Sequence, residues 1–327
     1  MLYQSLKFNK YLLIGALYML NASLWAQVNE LPAQTDWFLS TGDWQSDPQL
    51  YIREWGSGPD TVIVLHGGWG GEYSGMMEAV AGLENQYHFI SYDQRGSLRS
   101  PFPDSLITFQ QHINDLELLR RELALDQVTI LAHSMGGVLG AAYAAQYPQR
   151  IRKLILVTPA YLKNPIPDAD EERFGRAQQQ FQVFLNRPEV EQELQKYDLL
   201  RTSSPLSSRE ETAKFRIPFA ARMLYDVTKW KDLTGGRAIY QGKVFGLTAD
   251  TYPAEGWDYP ATFARHSLPV TVIACDHDFL DFGNTLIRTW LEDVPSVRIM
   301  YIERAGHIPW IDRPERFHEA LLNALSH

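Results

Sequence analysis

The chain has 327 residues, 45% of them hydrophobic and 12% aromatic, which is enough to bury a large core and fits one big domain or one with an inserted lobe. Its 30 Lys and Arg stand against 39 Asp and Glu, a net charge of −9, and a surface of that sign repels polyanions, so nucleic acid is excluded as a partner. The single cysteine, Cys275, cannot form an internal disulfide, and its place in an apolar run predicts a buried, inert thiol.

Residues 1–26 read as a signal peptide. Lys7 and Lys10 form the positive start, residues 11–20 the apolar run, and Ala22, Ser23 and Ala26 the small-residue region, with the cut favoured after Ala26. The run is shorter than the roughly 20 apolar residues that span a bilayer. The protein is therefore expected to be exported, periplasmic or secreted. An uncleaved N-terminal anchor is the alternative and would be its only membrane contact.

After a polar lead, residues 50–55 alternate like a half-buried strand, and Gly56-Ser-Gly-Pro59 is a turn. Residues 61–65 are a fully apolar strand, followed by His66-Gly-Gly-Trp-Gly-Gly71, whose glycines allow close backbone approach and expose N–H groups. His66 reads as a structural hydrogen-bonder. Residues 87–93 form the next strand, followed by Gln94-Arg-Gly-Ser-Leu-Arg-Ser-Pro101. Asp93 and Arg95 read as an ion pair bracing that loop. Residues 112–124 place Ile113, Leu116, Leu119 and Leu123 on one helical face.

Residues 128–133 are an apolar, β-branched strand, and the small apolar run from Met135 reads as a helix. Between them stands Ser134. A strand that turns at once into a helix strains its central residue, pushes that side chain out of the sheet, and needs small neighbours, here Ala132 and Gly136. The helix then aims its free N–H groups, Met135 first, at the place where an oxyanion forms when a serine attacks a carbonyl. His133 should point away.

Residues 151–157 are another strand. The alternation of strand and helix to this point argues for a mostly parallel sheet flanked by helices. It stops over residues 161–262, which carry helical stretches rich in aromatics and read as an inserted helical cap between core segments 27–160 and 263–327. Ser208-Arg-Glu-Glu211 reads as a capping box, and Pro218 should kink or end that helix. Phe174, Phe181, Phe184, Trp230, Phe245 and Trp257 are candidates for a pocket lining. Strands resume at 270–275 and 297–302. Asp276-His-Asp278 follows the first, Gly306-His307 follows the second, and a helix over about 314–325 closes the chain.

Ala132-His-Ser-Met-Gly136 resembles the Gly-x-Ser-x-Gly nucleophile elbow of the α/β-hydrolase fold family, and Ser134, Asp278, His307 follow its order Ser, Asp, His. The resemblance implies Ser134 as nucleophile, His307 as base, Asp278 as the acid with Asp276 as alternative, and Gly68 beside Met135 as oxyanion donors. Asp93-Gln-Arg-Gly-Ser-Leu-Arg-Ser100 further resembles the Asp-Gln-Arg-Gly-x-Gly-x-Ser segment of prolyl aminopeptidases. Leu98 departs from that pattern, Trp69 replaces the proline of the family's His-Gly-Gly-Pro-Gly, and the elbow differs at His133 and Met135. This branch implies cap carboxylates that hold a substrate's free N-terminus, with Glu171, Glu172 and Glu255 as candidates and Trp69 beside the site. The expected reaction is removal of N-terminal proline from short peptides, without metal or other cofactor. Hydrolysis of small apolar esters or lactones is the alternative, and a non-catalytic ligand-binding relative the remote one.

Overall fold

The computed structural model describes residues 34–43, 46–233 and 240–326; the expected signal segment lies outside them. Eight strands form one sheet. In chain order they are β1 (Gln34–Ser40), β2 (Gln49–Trp55), β3 (Asp60–Leu65), β4 (Tyr87–Tyr92), β5 (Val128–His133), β6 (Ile151–Val157), β9 (Val270–Cys275) and β10 (Val297–Ile302). They lie in the order β1-β2-β4-β3-β5-β6-β9-β10. From β4 to β10 every pairing is parallel, while β1 and β2 join antiparallel at one side.

Strand periodicity divides the core in two. Side chains of period 2 alternate faces, and a sheet covered on both faces has apolar residues at every position. Ile63, Leu65, Ile130, Ala132, Leu154 and Leu156 pack into one cluster with α2 (Phe109–Glu122), α3 (Met135–Gln146) and α9 (Thr285–Leu291). Their neighbours Val62, Val64, Leu131, Ile155 and Val157 pack on the opposite face with α1 (Ser74–Ala79) and α10 (Pro314–Ser326). Cys275 is buried among the latter and burial pushes its thiol pKa up.

The polar lead hides a strand: Gln34–Ser40 pairs residue for residue with Gln49–Trp55. Between β6 and β9 the chain leaves the sheet. A two-residue ladder, β7 (Lys163–Asn164) against β8 (Trp257–Asp258), ties the two ends of this insertion together. Within it run α4 (Asp168–Leu185), α5 (Pro188–Lys196), α6 (Ser208–Met223) and α7 (Gly242–Ala249), and α8 (Tyr259–His266) leads back to the sheet. Leu199, Ile217, Ala220, Leu224, Val227 and Trp230 give the insertion its own apolar cluster. In contrast, α7 sends Val244 into the main core and Thr248 to His112.

Two local expectations shift here. The capping box belongs to Ser207 and Glu210, one residue earlier than read: the Glu210 N–H donates to Ser207 Oγ at 3.4 Å and the Ser207 N–H donates to Glu210 Oε2 at 2.7 Å. Pro218 does not end its helix, which continues to Met223. Pro218 and Lys214, one turn back, lie on the exposed face, where water can take up the freed carbonyl, while Ile217, Ala220 and Ala221 anchor the other face.

Candidate active site

All six residues of β5 are buried, and the ladder extends one step past the strand through the Ser134 N–H to the Val157 carbonyl at 3.2 Å. Ser134 then adopts φ 55° and ψ −121°, a strained backbone for a residue with a Cβ, and Met135 begins α3. The small residues around it have concrete causes. A Cβ on Gly136 would come within 2.7 Å of the Leu65 and His66 carbonyl oxygens, so the turn closes only with glycine there. A Cβ on Gly67 would meet Ser134 Cβ at 2.8 Å, so the glycine loop after β3 lies directly against the serine. Gly68 follows with φ +72°. As first residue of its helix, Met135 has no carbonyl one turn back for its N–H.

The parallel strands bring the two other residues to the same sheet edge. His307 Nδ1 lies 2.9 Å from Asp278 Oδ1, and both side chains are buried. Asp278 also accepts the Leu280 N–H at 3.1 Å. Asp276 is turned elsewhere, bonded to His277 Nδ1 at 2.7 Å and to the Ala305 N–H at 3.3 Å. The loop that carries His307 is clamped. The His307 carbonyl accepts from Thr158 Oγ1 at 3.0 Å and lies 3.0 Å from His133 Nε2. Burial, reinforced by the neighbouring His307, pushes the His133 pKa well below its ordinary value. His133 is thus held neutral, its ring 4.6 Å from that of His307.

Several residues end up where the sequence did not put them. Asp93 and Arg95 do not pair. Asp93 accepts from Arg99 Nη1 at 3.0 Å and from the Tyr73 N–H at 3.3 Å. Arg95 reaches inward to α2, where Asp115 accepts its Nε at 2.7 Å; a buried guanidinium needs a buried carboxylate, and α2 supplies it. Burial raises the Asp115 pKa and Arg95 pulls it back, leaving it at about 6. His66 bridges two loops, its Nε2 accepting the Gln94 N–H at 3.1 Å, and burial lowers its pKa.

A cavity of about 660 Å³ opens over Ser134, His307 and Met135. Gly67 and Gly68 form one side, with Tyr161, Phe219, Phe245, Tyr252, Trp257 and Phe279 as the large apolar lining. Of the six aromatics singled out in the insertion, Phe245 and Trp257 line it, while Phe174, Phe181, Phe184 and Trp230 pack elsewhere. Trp69 is fully buried behind the loop, stacked on His112 at 4.6 Å and donating to Tyr252 Oη at 2.7 Å. Glu171, Glu172 and Glu255 are exposed and outside the lining. The acids in the cavity wall are Glu72 and Glu78, from the core rather than the cap, and Glu72 is held by Arg99 at 3.5 Å and by the Ser74 N–H at 3.0 Å.

One contact beside the site had no signal in the sequence. Asp312 accepts the Gly306 N–H at 2.7 Å and the Tyr225 and Asp226 N–H groups at 2.8 and 3.1 Å, tying the His307 loop to the insertion. Among the described residues no group of three or more His, Cys, Asp or Glu could hold a metal ion, and no helix is long and apolar enough to cross a membrane.

Residues 60–314 match the α/β-hydrolase fold family. The chain belongs to that family. This α/β hydrolase is similar to the proline iminopeptidase of Lactobacillus delbrueckii subsp. bulgaricus, 23% identical over 302 residues that cover 88% of this chain and 96% of that enzyme. Among solved structures it is similar to an esterase of Exiguobacterium antarcticum, with TM-score 0.63, 18% identity, and 90% and 100% of the two chains covered. The proline iminopeptidase of Mycobacterium smegmatis is similar too, with TM-score 0.62, 19% identity, and 89% and 98% covered.

Proposed function

We propose that this α/β hydrolase is a serine hydrolase that cleaves esters with an apolar acyl group through an acyl-enzyme on Ser134. The observation that carries the reading is the join of a strained serine and a buried His307–Asp278 pair beneath one apolar cavity. A neutral serine hydroxyl is a weak nucleophile, so His307 takes its proton as Oγ attacks the carbonyl. Asp278 accepts the Nδ1–H, which fixes the imidazole tautomer and stabilises the imidazolium. The N–H groups of Met135 and Gly68 receive the oxyanion; each such donor lowers the barrier by about 3 kcal/mol. His307 returns the proton to the leaving oxygen, and water, activated by the same histidine, releases the acid.

A second reading is removal of N-terminal proline from peptides. Asp93-Gln94-Arg95-Gly96 and the proline iminopeptidase relatives favour it. The cavity favours the ester, because its lining is dominated by aromatic and aliphatic side chains and the cap acids named for an ammonium group face solvent. Export belongs to the same proposal, resting on residues 1–26.

The test is turnover of an aryl hexanoate and of a prolyl arylamide by the wild type and by Ser134→Ala. The ester should be hydrolysed and the variant should be inert. Prolyl arylamide turnover as fast as that of the ester would move the protein to the aminopeptidases.

A further inference from the structure

Arg222 is the only Lys or Arg among the described residues that line the cavity. It sits in the last turn of α6, exposed, with its guanidinium carbon 4.6 Å from the centre of the Phe279 ring. Phe279 in turn packs edge-on against His307, ring centres 4.7 Å apart. The cation is thus one aromatic ring away from the proposed base. Its positive charge is also felt at Tyr161, whose pKa burial and the negative charge of Asp278 raise to about 12 against the pull of Arg222.

Among the described residues no carboxylate forms an ion pair with Arg222. Glu72, in the core wall of the cavity, is already held by Arg99 and Ser74. Arg222 is open to solvent, and a ligand that enters the cavity beside it covers the charge, which costs least when that ligand supplies an anion. Contact with a ring face leaves the N–H edge of a guanidinium free, and that edge matches a carboxylate with two parallel hydrogen bonds.

We infer that Arg222 determines specificity: the cavity takes esters that also carry a carboxylate, bound at Arg222 while the ester carbonyl lies at Ser134. The inference rests on the ester-hydrolase reading and narrows it. The one cation among the described lining residues balances one negative charge, so a carboxylate matches it better than the dianion of a phosphate monoester. The sign also opposes an N-terminal ammonium at this end of the cavity.

Two matched substrate pairs test it with the full-length protein. One pair varies the acyl end, a monoaryl adipate against the aryl hexanoate. The other varies the alcohol, 4-carboxybenzyl hexanoate against benzyl hexanoate. The readout is the ratio of kcat/KM, charged over neutral, which cancels any general damage to the fold. In one pair the wild-type ratio should exceed that of Arg222→Met by about tenfold to a hundredfold, the usual range for lost charged hydrogen bonds. Arg222→Lys should keep part of the preference, because it keeps the charge but not the planar fork. Ratios equal in wild type and Arg222→Met for both pairs would overturn the inference and leave the esterase intact. Absence of turnover on all four esters would remove both.

Discussion

The two walls of the cavity are built by different rules. The sheet-edge wall is fixed by backbone: Ser134 by a turn that only small neighbours allow, Asp278 and His307 by the ends of adjacent parallel strands. The wall from the insertion is fixed by which side chains its helices spare from their own packing. Trp230 and Phe181 are spent on holding helices together, whereas Phe219, Phe245 and Arg222 are left facing the cavity. Chemistry set by backbone is rigid and reads in a few consecutive residues; specificity set by leftover surface does not.

This contrast can be broken at several points. The largest effect should come from the sheet wall. Asp278→Asn keeps the shape but favours the wrong imidazole tautomer, and kcat should fall about 10⁴-fold with little change in KM, measured on the aryl ester. A loss below tenfold would mean that another group orients His307. Next is Gly136→Ala. Its methyl would press on two backbone oxygens, so the variant should lose about 3 kcal/mol in urea unfolding, and a neutral result would remove the steric account of the elbow.

A smaller effect concerns the seam where α7 of the insertion joins the core. His112 is buried, stacked on Trp69 and bonded to Thr248, and burial holds its pKa well below the ordinary value. The unfolded chain takes up this proton as pH falls through about 6.5 and the folded chain does not, so stability drops by up to about 1.4 kcal/mol per pH unit below that point. His112→Gln should therefore lose less stability than wild type between pH 7.5 and 5.5, and equal losses would show that His112 protonates in the fold. The smallest effect should lie in the wall from the insertion. Trp257→Ala should reduce the preference for hexanoate over acetate esters by about tenfold, while Phe184→Leu, outside the lining, should lower only the melting temperature.

The same division governs how much was legible in the sequence. The parallel strands stood out because a sheet covered on both faces is apolar at every position, and the elbow stood out because its steric demands fall on consecutive residues. The strand Gln34–Ser40 was missed, since an edge strand carries polar residues freely. The choice of Asp278 over Asp276 followed the family pattern, and it is Asp278 that lies 2.9 Å from His307 Nδ1. The Asp93–Arg95 pair failed because proximity in sequence says nothing of Asp115, 20 residues on, which a buried guanidinium prefers. Glu171, Glu172 and Glu255 lie outside the lining for a related reason: a surface glutamate is solvated by default, and only tertiary packing decides which polar groups face a cavity. Arg222 reads as any surface cation in the sequence, because its place over Phe279, which packs on His307, is set by tertiary packing alone.

The most direct test of the central claim is intact-mass analysis after reaction with a fluorophosphonate. The account predicts one covalent adduct per chain in the wild type, mapped to Ser134, absent in Ser134→Ala and much slower to form in His307→Ala. A folded wild type that stays unlabelled, or that carries its adduct on another residue, would contradict it.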